Sequence, residues 1–207
     1  VPIAVIQHRQ ASLDTLILIG TSTGGPQALT VLLAALPRFN SGACCIVQHM
    51  PAGFTKNLSN RLNSLSAWDV QEGVDGLLLC PGRVYVAPGG FQMSLRRIHS
   101  GSQIGVQNEG SVNGHQPSVD VLFQSSLTAW TGNTIAILLT GMGKDGAVGM
   151  KHIYDSGGHT IAEAESTCVV YGMPRAAVNL GAVHAIIPLE QIAAEITQCY
   201  DKFHDID

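Results

Sequence analysis

Short apolar runs recur along the chain, each stopping at a glycine, proline or polar loop before a segment of helical period begins. Leu16, Ile17, Leu18 and Ile19 form the first run, and its uninterrupted apolar character predicts a buried strand over 15–20. Leu29, Leu32, Leu33 and Leu36 then recur at i, i+3, i+4 and i+7, which predicts a helix opened by Pro26 and closed by Pro37. A second strand over 43–47 completes a βαβ unit, and a helix is expected over 54–62. Residues 83–87 and 92–96, joined at Pro88-Gly89-Gly90, read as a hairpin set beside the parallel system, with 104–107 as an addition to it. A polar loop over 112–117 feeds a helix with Ser118 as N-cap and Asp120 in its first turn. Further strands are predicted over 134–140, 158–162 and 182–187, and a short helix over 174–180. Leu189, Ile192, Ala193, Ile196 and Tyr200 give the last helix an apolar stripe that packs on a sheet.

Composition narrows the class. With 207 residues, 45% hydrophobic and 13% charged, the chain can bury one large core, so one domain is expected over 14–207, with 1–13 as a linker or tail. A formal charge of -4 and 11 scattered Lys and Arg leave no basic stripe for phosphates, which argues against a nucleic-acid partner. No apolar run approaches the roughly 20 residues that span a bilayer, and no signal-peptide layout opens the chain; a soluble, cytoplasmic protein without membrane insertion is expected. The five cysteines form no C-x-x-C and lie mostly in apolar segments, so neither a disulfide framework nor a metal site is predicted. A start at Val1 rather than Met predicts a piece of a longer protein.

Candidate chemistry gathers where strands end. Gly20, Ser22 and Gly24 satisfy G-x-S-x-G, in which a serine on a sharp strand-to-helix turn stands beside backbone N–H groups that no helical carbonyl uses. A βα turn that happens to hold a serine is the plain alternative. His49 follows the second strand, and Asp145 lies in a glycine-rich loop after the 134–140 run. In an open parallel sheet such positions share one crevice, and Ser22, His49 and Asp145 would supply a nucleophile, a base and the base's carboxylate. Loop N–H groups around Met142 could face an oxyanion, where one donor is worth about 3 kcal/mol of barrier. His115 could line the same crevice or be an ordinary loop histidine. A rival reading takes Gly141, Gly143 and Gly146 as G-x-G-x-x-G, with Glu163 about 20 residues on as the ribose ligand of a dinucleotide-binding oxidoreductase. That reading leaves Ser22 and His49 without work. The turn after Gly24-Gly25 lacks the Lys-Ser or Lys-Thr of a P-loop, and an interaction module would not need three reactive side chains after three strands.

Over 14–196 the chain resembles the catalytic domain of the CheB chemotaxis protein-glutamate methylesterases. The matching stretches are Ile19-Gly20-Thr21-Ser22-Thr23-Gly24-Gly25-Pro26, Gln48-His49-Met50-Pro51 with Phe54-Thr55, Tyr85-Val86-Ala87-Pro88-Gly89-Gly90, Pro117-Ser118-Val119-Asp120, Leu139-Thr140-Gly141-Met142-Gly143 with Asp145-Gly146, and Gly172-Met173-Pro174. The resemblance implies an α/β fold, a predominantly parallel doubly wound sheet with an antiparallel hairpin at one edge. It implies Ser22 as nucleophile, His49 as base and then acid, and Asp145 as its orienting partner. Asp145 would accept Nδ1–H of His49 and leave Nε2 to take the serine proton. Met142 and Thr23, with Thr21 and His115 beside them, are the implied oxyanion or substrate contacts. The implied substrates are γ-glutamyl methyl esters on the cytoplasmic helices of chemoreceptors, with deamidation of receptor glutamines as a second activity and no cofactor. An amino-terminal receiver domain is the implied regulatory partner. Gln116 stands where the family usually has a basic residue, Gln92 where it usually has histidine, and Glu163-Ala164-Glu165 with Cys168 replace Gln-Asp-Glu and Ser; these departures bear on specificity more than on chemistry.

Overall fold

The computed structural model describes residues 13–204, so nearly all of the tail expected over 1–13 lies outside the described residues. Nine strands and six helices follow in the order β1 Thr15–Thr21, α1 Gly25–Ala35, β2 Gly42–Gln48, α2 Thr55–Leu65, β3 Asp69–Glu72, β4 Arg83–Val86, β5 Gln92–Ile98, β6 Gly101–Gln107, α3 Val119–Ala129, β7 Asn133–Leu138, α4 Ala147–Asp155, β8 His159–Glu163, α5 Met173–Asn179, β9 Ala185–Ile187 and α6 Leu189–His204 among the described residues. Seven strands form one sheet in the order β3-β4-β2-β1-β7-β8-β9, and every pairing in it is parallel. Among the described residues no helix is long and apolar enough to cross a membrane.

Side-chain alternation divides the core. Ile17 and Ile19 of β1 face α1, α2 and α6, whereas Leu16 and Leu18 face α3, α4 and α5, so the central strand is apolar throughout because both its faces are covered. Leu29, Leu32 and Leu33 of α1 are buried on the sheet, each contributing about 1.5–3 kcal/mol by leaving water.

Two expectations change. Residues 83–86 are not a hairpin arm: β4 pairs in parallel with β2 and β3 inside the main sheet. The hairpin is instead β5 with β6, a separate two-stranded antiparallel sheet whose Met93, Leu95 and Ile104 pack with Val119, Leu122 and Phe123 of α3. A Pro-Gly-Gly turn reads locally as a hairpin connection, but burial of Val84, Tyr85 and Val86 decides which sheet β4 joins. Polar β3, with its exposed Asp69, is an edge strand that shows no apolar alternation, and periodicity did not reveal it.

The chain leaves β1 through α1 on one face and leaves neighbouring β7 through α4 on the other. A crevice opens beyond the carboxyl ends of such a strand pair. Ser22 and the 141–146 loop lie there.

Candidate active site

Register places the first two candidates side by side. Thr21 pairs with Gln48, so Ser22 and His49 are the next residues on parallel strands about 4.8 Å apart. The Gln48 amide braces both, donating from Nε2 to Ser22 O at 2.9 Å and His49 O at 3.0 Å, and His49 N–H donates to Thr21 O at 3.0 Å. From the other side Ser22 N–H donates to Thr140 O at 3.0 Å, which stitches the serine turn to the end of β7. Gly141 lies so close that a Cβ there would sit 2.8 Å from the Ser22 Cβ and 2.4 Å from the Met173 sulfur. Gly24, at φ 85°, caps α1 in the left-handed conformation that turns the chain sharply behind Ser22.

The neighbouring candidates divide. Ser22 is half-buried, while Thr23 and Met142 are exposed, and among the described residues no protein acceptor takes the backbone N–H of Thr23 or Met142. Thr21 is different: its side chain is fully buried and its hydroxyl donates to Thr140 O at 2.9 Å, so it faces the interior and not the crevice.

Asp145 reaches His49 across the crevice. His49 Nε2 lies 2.8 Å from Asp145 Oδ2, with the carboxylate wholly buried and the imidazole nearly so. This reverses the expected ring nitrogen: Nε2 faces the carboxylate, and Nδ1 is the buried atom without a hydrogen-bond partner among the described residues. A histidine held in this way carries its proton on Nε2 and can take up another at Nδ1.

The carboxylate has four further donors. Val119 N–H at 2.6 Å joins His49 on Oδ2, while Ser118 Oγ at 2.7 Å, Asn113 Nδ2 at 3.0 Å and Asp120 N–H at 3.3 Å donate to Oδ1. Ser118 occupies the N-cap position of α3, yet its hydroxyl serves Asp145 and makes no capping bond. The first N–H groups of α3 thus point at an anion, where the helix dipole favours it. Burial pushes the Asp145 carboxyl up, but the bonds from His49, Asn113, Ser118 and Val119 outweigh it and hold the group down at about 2. Asn113, whose φ of 55° lets its side chain turn inward, also donates to Asp120 Oδ2 at 2.8 Å. Asn113 and Ser118 were missed as parts of the site; the Asn113-Gly114 turn signal was local, and nothing in the sequence aimed it at Asp145.

A pH dependence follows. Because the folded Asp145 pKa lies below its ordinary 3.8, its contribution is fully present above about pH 4 and is lost as pH falls through about 2. The difference in urea-unfolding free energy between wild type and Asp145→Asn is expected to narrow by about 2 kcal/mol between roughly pH 5 and pH 2. An unchanged difference would contradict the depressed carboxyl.

His115 stacks face to face on His49, with centroids 3.6 Å apart and ring planes 7° apart. Burial and then the His49 ring push its pKa down against the pull of Asp145, which keeps it uncharged near neutrality. The buried Gln92 amide holds the loop that carries it: Nε2 donates to Gly110 O at 2.8 Å and His115 O at 3.0 Å, and Oε1 accepts Ser118 N–H at 2.8 Å. Gln92 therefore acts as a brace behind the crevice. Gln116 donates to Asn108 Oδ1 at 3.0 Å, away from these groups.

The dinucleotide reading finds no footing. Glu163 is fully buried and its Oε2 accepts Thr140 N–H at 2.7 Å, which leaves no carboxylate for a ribose. Asp145 occupies the centre of the would-be phosphate loop with an anion already bonded to His49.

A model of the CheB methylesterase family matches residues 17–196. The chain belongs to that family. Among relatives, it is 48% identical over 185 residues to a protein-glutamate methylesterase/protein-glutamine glutaminase of Archaeoglobus fulgidus, a match covering 89% of this chain and 53% of that protein. A protein of the same name from Bordetella bronchiseptica is 46% identical over 198 residues, covering 95% of this chain and 56% of its own length. The chain therefore spans about half the length of the curated relatives it matches. The crystal structure of the Thermotoga maritima CheB methylesterase catalytic domain superposes with a TM-score of 0.85 at 36% identity, covering 90% of this chain and 98% of that one. This CheB-family chain thus shares the α/β fold of that catalytic domain, here a seven-stranded parallel sheet with the separate two-stranded β5–β6 sheet.

Proposed function

We propose that residues 14–207 form the catalytic domain of a cytoplasmic protein-glutamate methylesterase that uses Ser22, His49 and Asp145 to hydrolyse γ-glutamyl methyl esters on chemoreceptor helices. The observation that carries this is the buried His49 ring, anchored through Nε2 on Asp145 with Nδ1 unpartnered, on the strand next to Ser22. The family, and the names borne by the relatives, agree with it.

In this mechanism Ser22 Oγ attacks the ester carbonyl as His49 Nδ1 takes its proton. Asp145 holds the ring and offsets the charge that appears on it. The N–H groups of Met142 and Thr23 donate to the developing oxyanion, each good donor contributing about 3 kcal/mol. His49 returns the proton to the departing methoxide, giving methanol and a glutamyl ester of Ser22. Water, deprotonated by the same nitrogen, then releases the glutamate and restores Ser22. Glutamine enters the same acyl-enzyme with ammonia as leaving group, which accounts for deamidation as a second activity. A phosphorylated receiver domain is the regulatory partner that fits this family reading.

Methanol release from methylated receptor tests the activity, and a serine-directed phosphonate tests the nucleophile. Peptide mapping is expected to place the label on Ser22 and to find it lost in His49→Ala. A label elsewhere, or one undiminished in His49→Ala, would refute the assignment.

A further inference from the structure

The amino end of β8 and the second half of α6 bring together three side chains of metal-binding type, at the end of the strands opposite the Ser22 crevice. His159 Nε2 is 3.3 Å from Glu195 Oε1, Cys199 Sγ is 3.7 Å from the same oxygen, and the three donor atoms all lie within 4.8 Å of one another. Glu195 and Cys199 stand one helical turn apart on α6 and share its face, while His159 approaches from the sheet. Around tetrahedral zinc, bonds of about 2.0–2.3 Å separate neighbouring ligand atoms by about 3.3–3.6 Å. Two of the spacings already match, and the third is within 4.8 Å.

His159 Nε2 supplies a second observation. The atom is buried within a half-buried ring, and its contact with Glu195 Oε1 at 3.3 Å is too poorly aligned to satisfy it among the described residues. Buried ring nitrogens ordinarily find a partner, and a cation bound among the three side chains would be one. We propose that His159, Glu195 and Cys199 form a zinc site, completed by one water, that ties β8 to α6. The imidazole and thiolate donors select a borderline-soft ion over magnesium or calcium. A neutral imidazole, a carboxylate and a thiolate also balance the charge of a divalent ion.

Protonation fits this assignment. Burial, with His184 stacked 5.1 Å away, pushes the His159 pKa down against the pull of Glu195, which favours the neutral ring that ligates metal. Burial and then the charge of Glu195 raise the Cys199 thiol to about 11, so it is protonated without metal. Binding exchanges its S–H bond for a zinc–sulfur bond and releases one proton to solvent, with no change of oxidation state.

The test uses the whole chain, reduced, stripped of metal with a chelator, and titrated with cobalt(II) as the spectroscopic probe and with zinc. One equivalent of cobalt is expected to give the intense visible bands of a four-coordinate site and a thiolate-to-cobalt band in the near ultraviolet. Zinc should displace it and raise the melting temperature. Cys199→Ser should abolish the near-ultraviolet band, and His159→Gln and Glu195→Gln should each weaken zinc binding by about a hundredfold or more, since losing even an outer partner costs 10–100-fold. Circular dichroism checks that each variant is folded, and the wild-type cobalt spectrum remains decisive if one is not. Absence of four-coordinate bands in the wild type, or a thiolate band surviving in folded Cys199→Ser, would overturn the site.

Discussion

Ser22→Ala is expected to lower methyl-ester turnover by about 100,000-fold or more while leaving the melting temperature nearly unchanged. The size of the effect follows from losing the atom proposed to form the covalent intermediate: His49 and Asp145 then have no proton to move, and about a thousandfold acceleration over water survives through oxyanion donors and binding. The stability expectation rests on the site. Ser22 is half-buried, and the turn is held by its backbone N–H on Thr140 O and its carbonyl under the Gln48 amide, both of which alanine retains. A change within about 0.5 kcal/mol is therefore expected. Methanol release from methylated receptor measures the first quantity and thermal melting the second. Turnover within tenfold of wild type would remove Ser22 from the chemistry, whereas a large fall in melting temperature would make the activity loss uninformative about the nucleophile.

The second large effect is at Asp145. Asp145→Asn is expected to cost about a thousandfold to ten-thousandfold in turnover, with about 2–4 kcal/mol of stability. Five donors converge on the carboxylate, and an amide offers an acceptor at only one of its two positions. If the amide nitrogen replaces Oδ1, it strands the Asp120 N–H; Ser118 Oγ can accept instead of donating, and Asn113 can accept only by turning its amide over and giving up its bond to Asp120 Oδ2. If it replaces Oδ2, it meets Val119 N–H and His49 Nε2. Each arrangement strands one backbone N–H, and in the second His49 accepts from the amide only by shifting its proton from Nε2 to Nδ1. That shift places a proton on the very nitrogen proposed to receive one from Ser22. Near-normal turnover in a folded Asp145→Asn protein would sink the triad, and loss of stability without loss of turnover would leave Asp145 a purely structural anion.

Much of the framework was legible locally. The 16–19 run, the leucine spacing of the first helix and Pro26 at its start are properties of neighbouring residues, and buried strands and amphipathic helices reveal themselves through such periods. The same local logic set Ser22, His49 and Asp145 just past strand ends, because a change from apolar run to glycine-rich or polar loop marks the strand's carboxyl end. What local pattern could not carry was pairing. β4 reads as a hairpin arm until its neighbours β2 and β3 are known, and β3 is too polar to read as a strand at all.

The site divides in the same way. Residue type and spacing in the chain were enough to nominate a serine, a histidine and an aspartate, and to match them to a family. Which ring nitrogen meets the carboxylate, how five donors hold it, why His115 lies flat on His49 and why Gln92 is a brace all depend on groups brought from distant parts of the chain. The same holds for His159, which lies 36 residues before Glu195 and meets it and Cys199 only through the fold. Backbone periodicity is imposed by bonded geometry and survives in the order of residues. Contacts across the sheet are imposed by the path of the folded chain, and the partners of a buried charge become visible only once that path is known.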